Sequence, residues 1–200
     1  MGRNKSQVLI VLGILLIALG ILLAMYNLYD ASRALKSVNQ IIEQMDELEE
    51  QELQVNEIPD YLLNPKMDMP EQEIDGQRYI GKLTIPGYGL DLPIISQWSY
   101  PNLKVAPCRY QGSAYQNNLI IAAHNYDSHF GKLKNIPINE EVLFTDIDGN
   151  IFRYQVAEKE VLKDTAIDEM KAGEWDLTLF TCTVGGANRM TIRCQQIAEI

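Results

Sequence analysis

The sequence predicts a mainly β domain, a closed barrel or a sandwich, carried on a single N-terminal membrane helix. Three observations lead there. An uncharged apolar run, Val8 to Met25, stands near the start. Short runs of strand type, separated by glycine, proline and asparagine turns, fill the stretch from Tyr79 onward. The last two runs carry a thiol, Cys182, and a guanidinium, Arg189, on either side of one glycine-rich turn. At 200 residues the chain has room for one core of about 130–150 residues plus a further segment. Its formal net charge of -10 excludes a general nucleic-acid binder, which needs a basic face to displace counterions.

Val8 to Met25 rises 1.5 Å per residue as a helix and reaches roughly 27 Å, enough for a bilayer core of about 30 Å. Tyr26 and Tyr29 then fall at the interface. A cleaved signal peptide has a shorter apolar core and a small-x-small site. No convincing site of that kind follows, so the run reads as an uncleaved anchor. Arg3 and Lys5 direct the N-terminus to the cytoplasm and everything after Tyr26 outside, with Arg33 and Lys36 weakening that bias slightly. Asp30 to about Val55 reads as a helical stalk, with Leu35, Val38, Ile42 and Met45 in an a/d stripe. The run of acids Glu43, Asp46, Glu47, Glu49, Glu50, Glu52 and Glu57, which contains no Lys or Arg, reads as a solvated face. Pro59, Pro65 and Pro70 mark an extended linker. The expected domains are therefore an anchor over 1–26, a stalk and linker over 27–73, and a β domain over 74–200.

Within that domain Tyr79–Ile85 alternates, and Pro86-Gly87-Tyr88-Gly89 turns the chain into Leu90–Ile95. Asn118–Ala123 is a short apolar strand. Val142–Phe144 and Ile151–Val161 flank the hairpin turn Asp148-Gly149-Asn150. Asp164–Lys171 is expected to hold one or two helical turns, and Leu177–Thr181 and Met190–Cys194 close the series. Seven or eight strands with little helix suit a barrel or a sandwich.

Cysteine chemistry needs a thiolate, a proton carrier for the leaving group and something to hold an oxyanion. Three cysteines are too few for a disulfide framework. Alternation along the last strand puts Met190, Ile192 and Cys194 on the apolar side, so Cys194 reads as a buried thiol. Cys108 reads as a second buried thiol, with a Cys108–Cys194 bridge, which would require close Cα atoms, as the lesser alternative. Cys182 ends a strand beside the glycine turn. Of the two histidines, His124 ends the apolar run Leu119–Ile121 with Ala122 and Ala123, where a side chain can reach over a barrel rim. His129 sits in a loop-like stretch and reads as a surface or loop-packing residue. Arg189 opens the strand after the turn, nearer the thiol than Arg193. A protonated His124 and Arg189 would both favour the thiolate. Glu158, Glu160, Asp164 and Asp168 read as scattered solvated carboxylates rather than a calcium site.

These residues carry a resemblance to a known family. Leu179-Phe180-Thr181-Cys182 followed by Arg189 resembles the sortase signature, and Ala123-His124-Asn125 with Phe130-Gly131 and Leu133 resembles its histidine segment. Tyr79-Ile80-Gly81-Lys82-Leu83-Thr84-Ile85-Pro86, the Leu92-Pro93-Ile94 step and the Asp148-Gly149 hairpin also fall where sortases have them. The resemblance covers about residues 74–197 and the N-terminal anchor fits it. It implies an eight-stranded β-barrel on the outer face of a Gram-positive cell, acting as a cysteine transpeptidase without a cofactor. Such enzymes cleave a C-terminal sorting signal of Leu-Pro-x-Thr-Gly type through a thioacyl-enzyme and pass the protein to an amine of a cell-wall precursor or a pilin lysine. By residue match Cys182 is the nucleophile, His124 the acid and then the base, and Arg189 the oxyanion holder, with Thr181 a lesser candidate for substrate contact. The segment from Glu160 to Asp176 is too short for the inserted long helix of the best-known class B enzymes, yet His124-Asn125 with Phe130-Gly131-Lys132-Leu133 resembles class B. Asn64-Pro65-Lys66 does not match the Asp-Pro-aromatic lid motif of class C, so the resemblance implies an open site in a class B- or D-like member. A papain-like protease would place its cysteine on a long helix, which disfavours that alternative; the other is a surface barrel module with an inert thiol.

Overall fold

The apolar run and the stalk form one helix, α1 (Gly2–Glu52), in a computed structural model that describes residues 2–52 and 59–197. Over Val8–Met25 its large side chains are exposed. Among the described residues it is the one helix long and apolar enough to cross a membrane. The chain divides into two compact units, Met1–Arg33 and Ala34–Ile200.

In the second unit, Ala34, Val38 and Ile41 of α1 are buried, and Ile42 and Met45 pack against the barrel's apolar clusters. The expected stripe thus holds at Val38, Ile42 and Met45 and fails at Leu35. Leu35 is 47% exposed, and the packed row runs through Ala34 and Ile41, the small alanine lying where hydropathy alone favours leucine. Lys82 Nζ reaches Asp46 Oδ1 at 2.6 Å, so one of the stalk acids is tied to the barrel. The stalk's expected end at Val55, with Glu57, lies outside the described residues. The proline segment is not a bare linker: α2 (Asp60–Leu63) lays Tyr61 on Tyr115, with ring centroids 4.7 Å apart and planes 9° from parallel. Met69 is buried beside it in the main core.

The barrel follows in β2 (Gln77–Ile85), β3 (Leu90–Ile95), β4 (Cys108–Gln111), β5 (Leu119–Ala123), β6 (Glu141–Asp146), β7 (Ile151–Lys163), β8 (Leu177–Cys182) and β9 (Asn188–Gln196). A short β1 (Gln72–Ile74) is hairpinned onto the start of β2. The eight strands run in the order β2-β3-β4-β5-β8-β9-β7-β6, and β6 pairs back to β2 from Gly81↔Asp146 to Thr84↔Leu143. That closure decides for the barrel over the sandwich. Closure needs a glycine at 81, where φ is 145° and an added Cβ would collide with the Thr145 carbonyl. Two neighbours are parallel, β3–β4 and β5–β8; all other pairs are antiparallel.

The barrel interior is filled by side chains such as Leu83, Ile94, Leu119, Phe144, Leu179 and Ile192. A second cluster, including Ile41, Tyr79, Ile95, Cys108 and Ala122, covers part of the outer wall. β5 is therefore buried on both faces, with Leu119, Ile121 and Ala123 inward and Ala122 outward. This is why it reads as an unbroken apolar run. Between β7 and β8 lies one short helix, α4 (Ile167–Lys171).

Candidate active site

β5 and β8 run parallel and adjacent, so their C-terminal ends reach the same rim. Ala123 and Thr181 are partners in that register, which makes His124 and Cys182 the next residues on neighbouring strands about 4.8 Å apart. β8 and β9 form a hairpin whose last pair is Cys182↔Arg189. Directly opposed residues share a face of the sheet, and here it is the outer one, since Leu179 and Ile192 fill the interior. The β8–β9 turn relies on Gly185 and Gly186 at φ 86° and 77°. His124, Cys182 and Arg189 thus end up on three adjacent strands at one rim.

Thr181 joins two of them. Its hydroxyl donates to the Ala123 carbonyl at 2.8 Å, and the residue is 4% exposed. The His124 carbonyl accepts from Phe130 N–H at 3.1 Å, folding the following loop back under the strand end. The His124 ring lies 4.9 Å from that of Tyr126, which lies 5.4 Å from His129. His129 is fully buried rather than superficial, so of the two roles expected for it only loop packing holds. Neither of its ring nitrogens has a hydrogen-bond partner among the described residues. Burial, and secondarily the charge of His124, push its pKa down to about 4.

Cys182 is half-buried and lines a cavity of about 280 Å³ with Asn125, Asp127, Lys134 and Thr183. Arg189 lines a separate groove of about 240 Å³ with Trp98, Tyr110, Phe180, Ile167 and Met170. Its Nη1 donates to the carbonyls of Gly186 at 2.9 Å and Asn188 at 3.1 Å. The groove's aromatic wall is built edge to face: Trp98 on Tyr110 at 5.9 Å and Tyr110 on Phe180 at 5.3 Å. Sequence reasoning missed this wall, because Trp98, Tyr110 and Phe180 come from three separate segments with no common motif. A larger cavity of about 730 Å³ lies between the stalk and the Gly89–Leu92 turn; Cys182 does not line it.

Arg193 does not share the groove. It is 2% exposed and its guanidinium is bound to Glu160, Thr178 and two backbone carbonyls. Cys194 faces the barrel interior and Cys108 the outer cluster, so no bridge joins them and all three thiols are free. Burial pushes the pKa of each of these two up to about 12. Among the described residues no cluster of three or more His, Cys, Asp or Glu could hold a metal ion.

A family model described as Sortase domain matches residues 83–197, more than half of the chain. The chain belongs to the sortase family. Sortases are cysteine transpeptidases, and the long apolar helix at the N-terminus suggests the single-pass anchor of other members. Solved structures agree in fold. A Clostridium perfringens sortase D5 transpeptidase is 19% identical with a TM-score of 0.57, over 84% of this chain and 99% of that one. Sortase C-1 from Streptococcus pneumoniae is 17% identical with a TM-score of 0.59, over 79% and 100%. A lid mutant of sortase A from Corynebacterium diphtheriae is 18% identical with a TM-score of 0.55, over 81% and 94%. At these identities the likeness is one of fold, and it does not sort this sortase among the subclasses. No curated protein matches.

Proposed function

We propose that the chain is a membrane-anchored transpeptidase that cleaves a Leu-Pro-x-Thr-Gly-like sorting signal and joins the cleaved protein to an amine. The observation that carries this reading is the strand register: His124, Cys182 and Arg189 on neighbouring strand ends. In the first half-reaction the Cys182 thiolate attacks the threonine carbonyl carbon. The carbonyl electrons move to oxygen, where the Arg189 guanidinium holds the oxyanion. Its fork has five N–H donors, of which the loop carbonyls take Nη1. As the C–N bond breaks, His124 in its imidazolium form gives a proton to the leaving glycine amine. A thioester on Cys182 remains.

In the second half-reaction an acceptor amine attacks that thioester, neutral His124 takes the amine's proton, and the sulfur leaves as thiolate. The new amide replaces the one broken, so no oxidant, metal or cofactor enters. The acceptor is a cell-wall precursor or a pilin lysine. One neighbour, a Streptococcus pneumoniae sortase C, is described by its pilin substrate specificity. Thr181 supports the same site by tying the β8 end to the residue before His124. We assign residues 1–26 to the anchor, with the N-terminus cytoplasmic, 27–73 to the stalk and linker, and 74–200 to the catalytic domain outside.

The full chain in detergent micelles should cleave a sorting-signal peptide, and faster when hydroxylamine is added, because the added amine resolves the thioester. Undiminished turnover by Cys182→Ala would sink the reading.

A further inference from the structure

Arg193 lies on the outer face of β9, within the thiol hairpin, and bonds to the end of α4. The residue is 2% exposed and its side chain makes four hydrogen bonds. Nε donates to Glu160 Oε1 of β7 at 2.7 Å. Nη1 donates to the Met170 carbonyl at 2.7 Å and to Thr178 Oγ1 of β8 at 3.0 Å, and Nη2 donates to the Glu169 carbonyl at 2.6 Å. Two of these acceptors are carbonyls in the last turn of α4, where a helix end runs short of internal donors; that of Glu169 also accepts from Ala172 N–H at 3.3 Å. A cation is favoured there. α4 has five residues, too few to hold itself together as an isolated helix. Its order must come from what it docks on: buried Met170, the Arg193 guanidinium, and Lys171, whose Nζ lies 6.0 Å from the Tyr110 ring centroid.

The same short helix is part of the aromatic groove. Ala166, Ile167 and Met170 line it with Tyr110, Phe180 and Arg189. Met170 is thus held from behind through its carbonyl while its residue faces the groove. Thr191 Oγ1, on β9, also lies 3.8 Å from Met170 Sδ.

We propose that Arg193 is a positioning residue for substrate: it locks α4 to the barrel wall and so fixes the groove in which the sorting signal lies. This rests on the transpeptidase reading and adds to it a residue that touches no reacting atom. The fork geometry is what the position requires. Four of five guanidinium donors are spent on acceptors from three elements, and an ammonium, with three donors at one point, cannot span them. Glu160 balances the buried charge, at 29% side-chain exposure.

The test measures kcat and KM for a sorting-signal peptide with the full chain in detergent, alongside melting temperature and the rate of Cys182 alkylation by iodoacetamide. Arg193→Lys should raise KM about tenfold, the scale of losing one charge-assisted hydrogen bond. kcat should stay within about twofold and alkylation should run at the wild-type rate, since the thiol and its neighbours are untouched. A general loosening of the barrel would instead lower kcat and change alkylation together. If Arg193→Lys fails to fold, Glu160→Gln decides, because it keeps the side-chain shape and removes only the charge partner. It should raise KM about threefold through a mispositioned guanidinium, with kcat retained. A folded Arg193→Lys with wild-type KM overturns the inference, as does wild-type KM in Glu160→Gln. Absence of turnover in the wild-type chain would instead count against the transpeptidase reading itself.

Discussion

Protonating His129 costs the folded protein more than the unfolded chain. Its pKa falls from an ordinary 6.5 to about 4 because burial strips water from the ring and nearby His124 opposes a second charge. The unfolded state therefore gains a proton as pH drops through 6.5, while the folded state does not until about 4. The stability that this neutral ring contributes is whole above 6.5 and shrinks between 6.5 and 4, by about 3 kcal/mol in all. Melting temperature should fall more steeply over that window in the wild type than in His129→Phe; parallel curves would show that the buried ring is not the source. The sequence left this residue as either surface or loop-packing, since a lone histidine carries no sign of its own burial. The thiols and arginines were more legible. Strand alternation sent Cys194 inward, and nearness to the turn set Arg189 ahead of Arg193. What it left unseen was that Arg193, on the same face, is covered by α4, a segment distant in sequence.

Among the elements, strands announced by alternation and a good turn were the most legible. The β6–β7 hairpin appears around Asp148-Gly149-Asn150, where Asp146 also accepts from the Asn150 backbone N–H at 2.9 Å. β4 was not foreseen. Cys108–Gln111 is four residues long, follows Pro107 and includes Arg109 and Gln111, so its strand character comes from pairing with β5 and not from its own pattern. The stalk was foreseen as a helix, but its buried stripe passes through Ala34, which hydropathy undervalues. The closing pair β2–β6 makes its own prediction. Because any side chain at 81 meets the Thr145 carbonyl and needs a left-handed backbone, Gly81→Ala should destabilise the domain by about 3 kcal/mol. Chemical denaturation measures this, and a midpoint equal to that of the wild type would mean that the β2–β6 seam tolerates a shift.

For the whole molecule, the candidate catalytic rim follows from topology. A parallel β5–β8 pair and an antiparallel β8–β9 pair bring together residues that are far apart in the chain, and no local pattern contains that information. Spacing alone left His124, Cys182 and Arg189 as three strand-end residues; the resemblance to sortases joined them, and the register puts them side by side. The aromatic groove and the cavity at Cys182 both border the β8–β9 hairpin, which suits an extended peptide lying across the wall with its scissile bond at the thiol. The claim that these strand ends make one catalytic unit is tested most directly by trapping the intermediate. The full chain is incubated with a sorting-signal peptide without added amine, and the tryptic fragment containing Cys182 is weighed. The predicted result is a mass gain equal to the acyl portion ending in threonine, removed by hydroxylamine and absent from Cys182→Ala. A wild-type chain that cleaves the peptide while Cys182 stays unmodified throughout the reaction would contradict it.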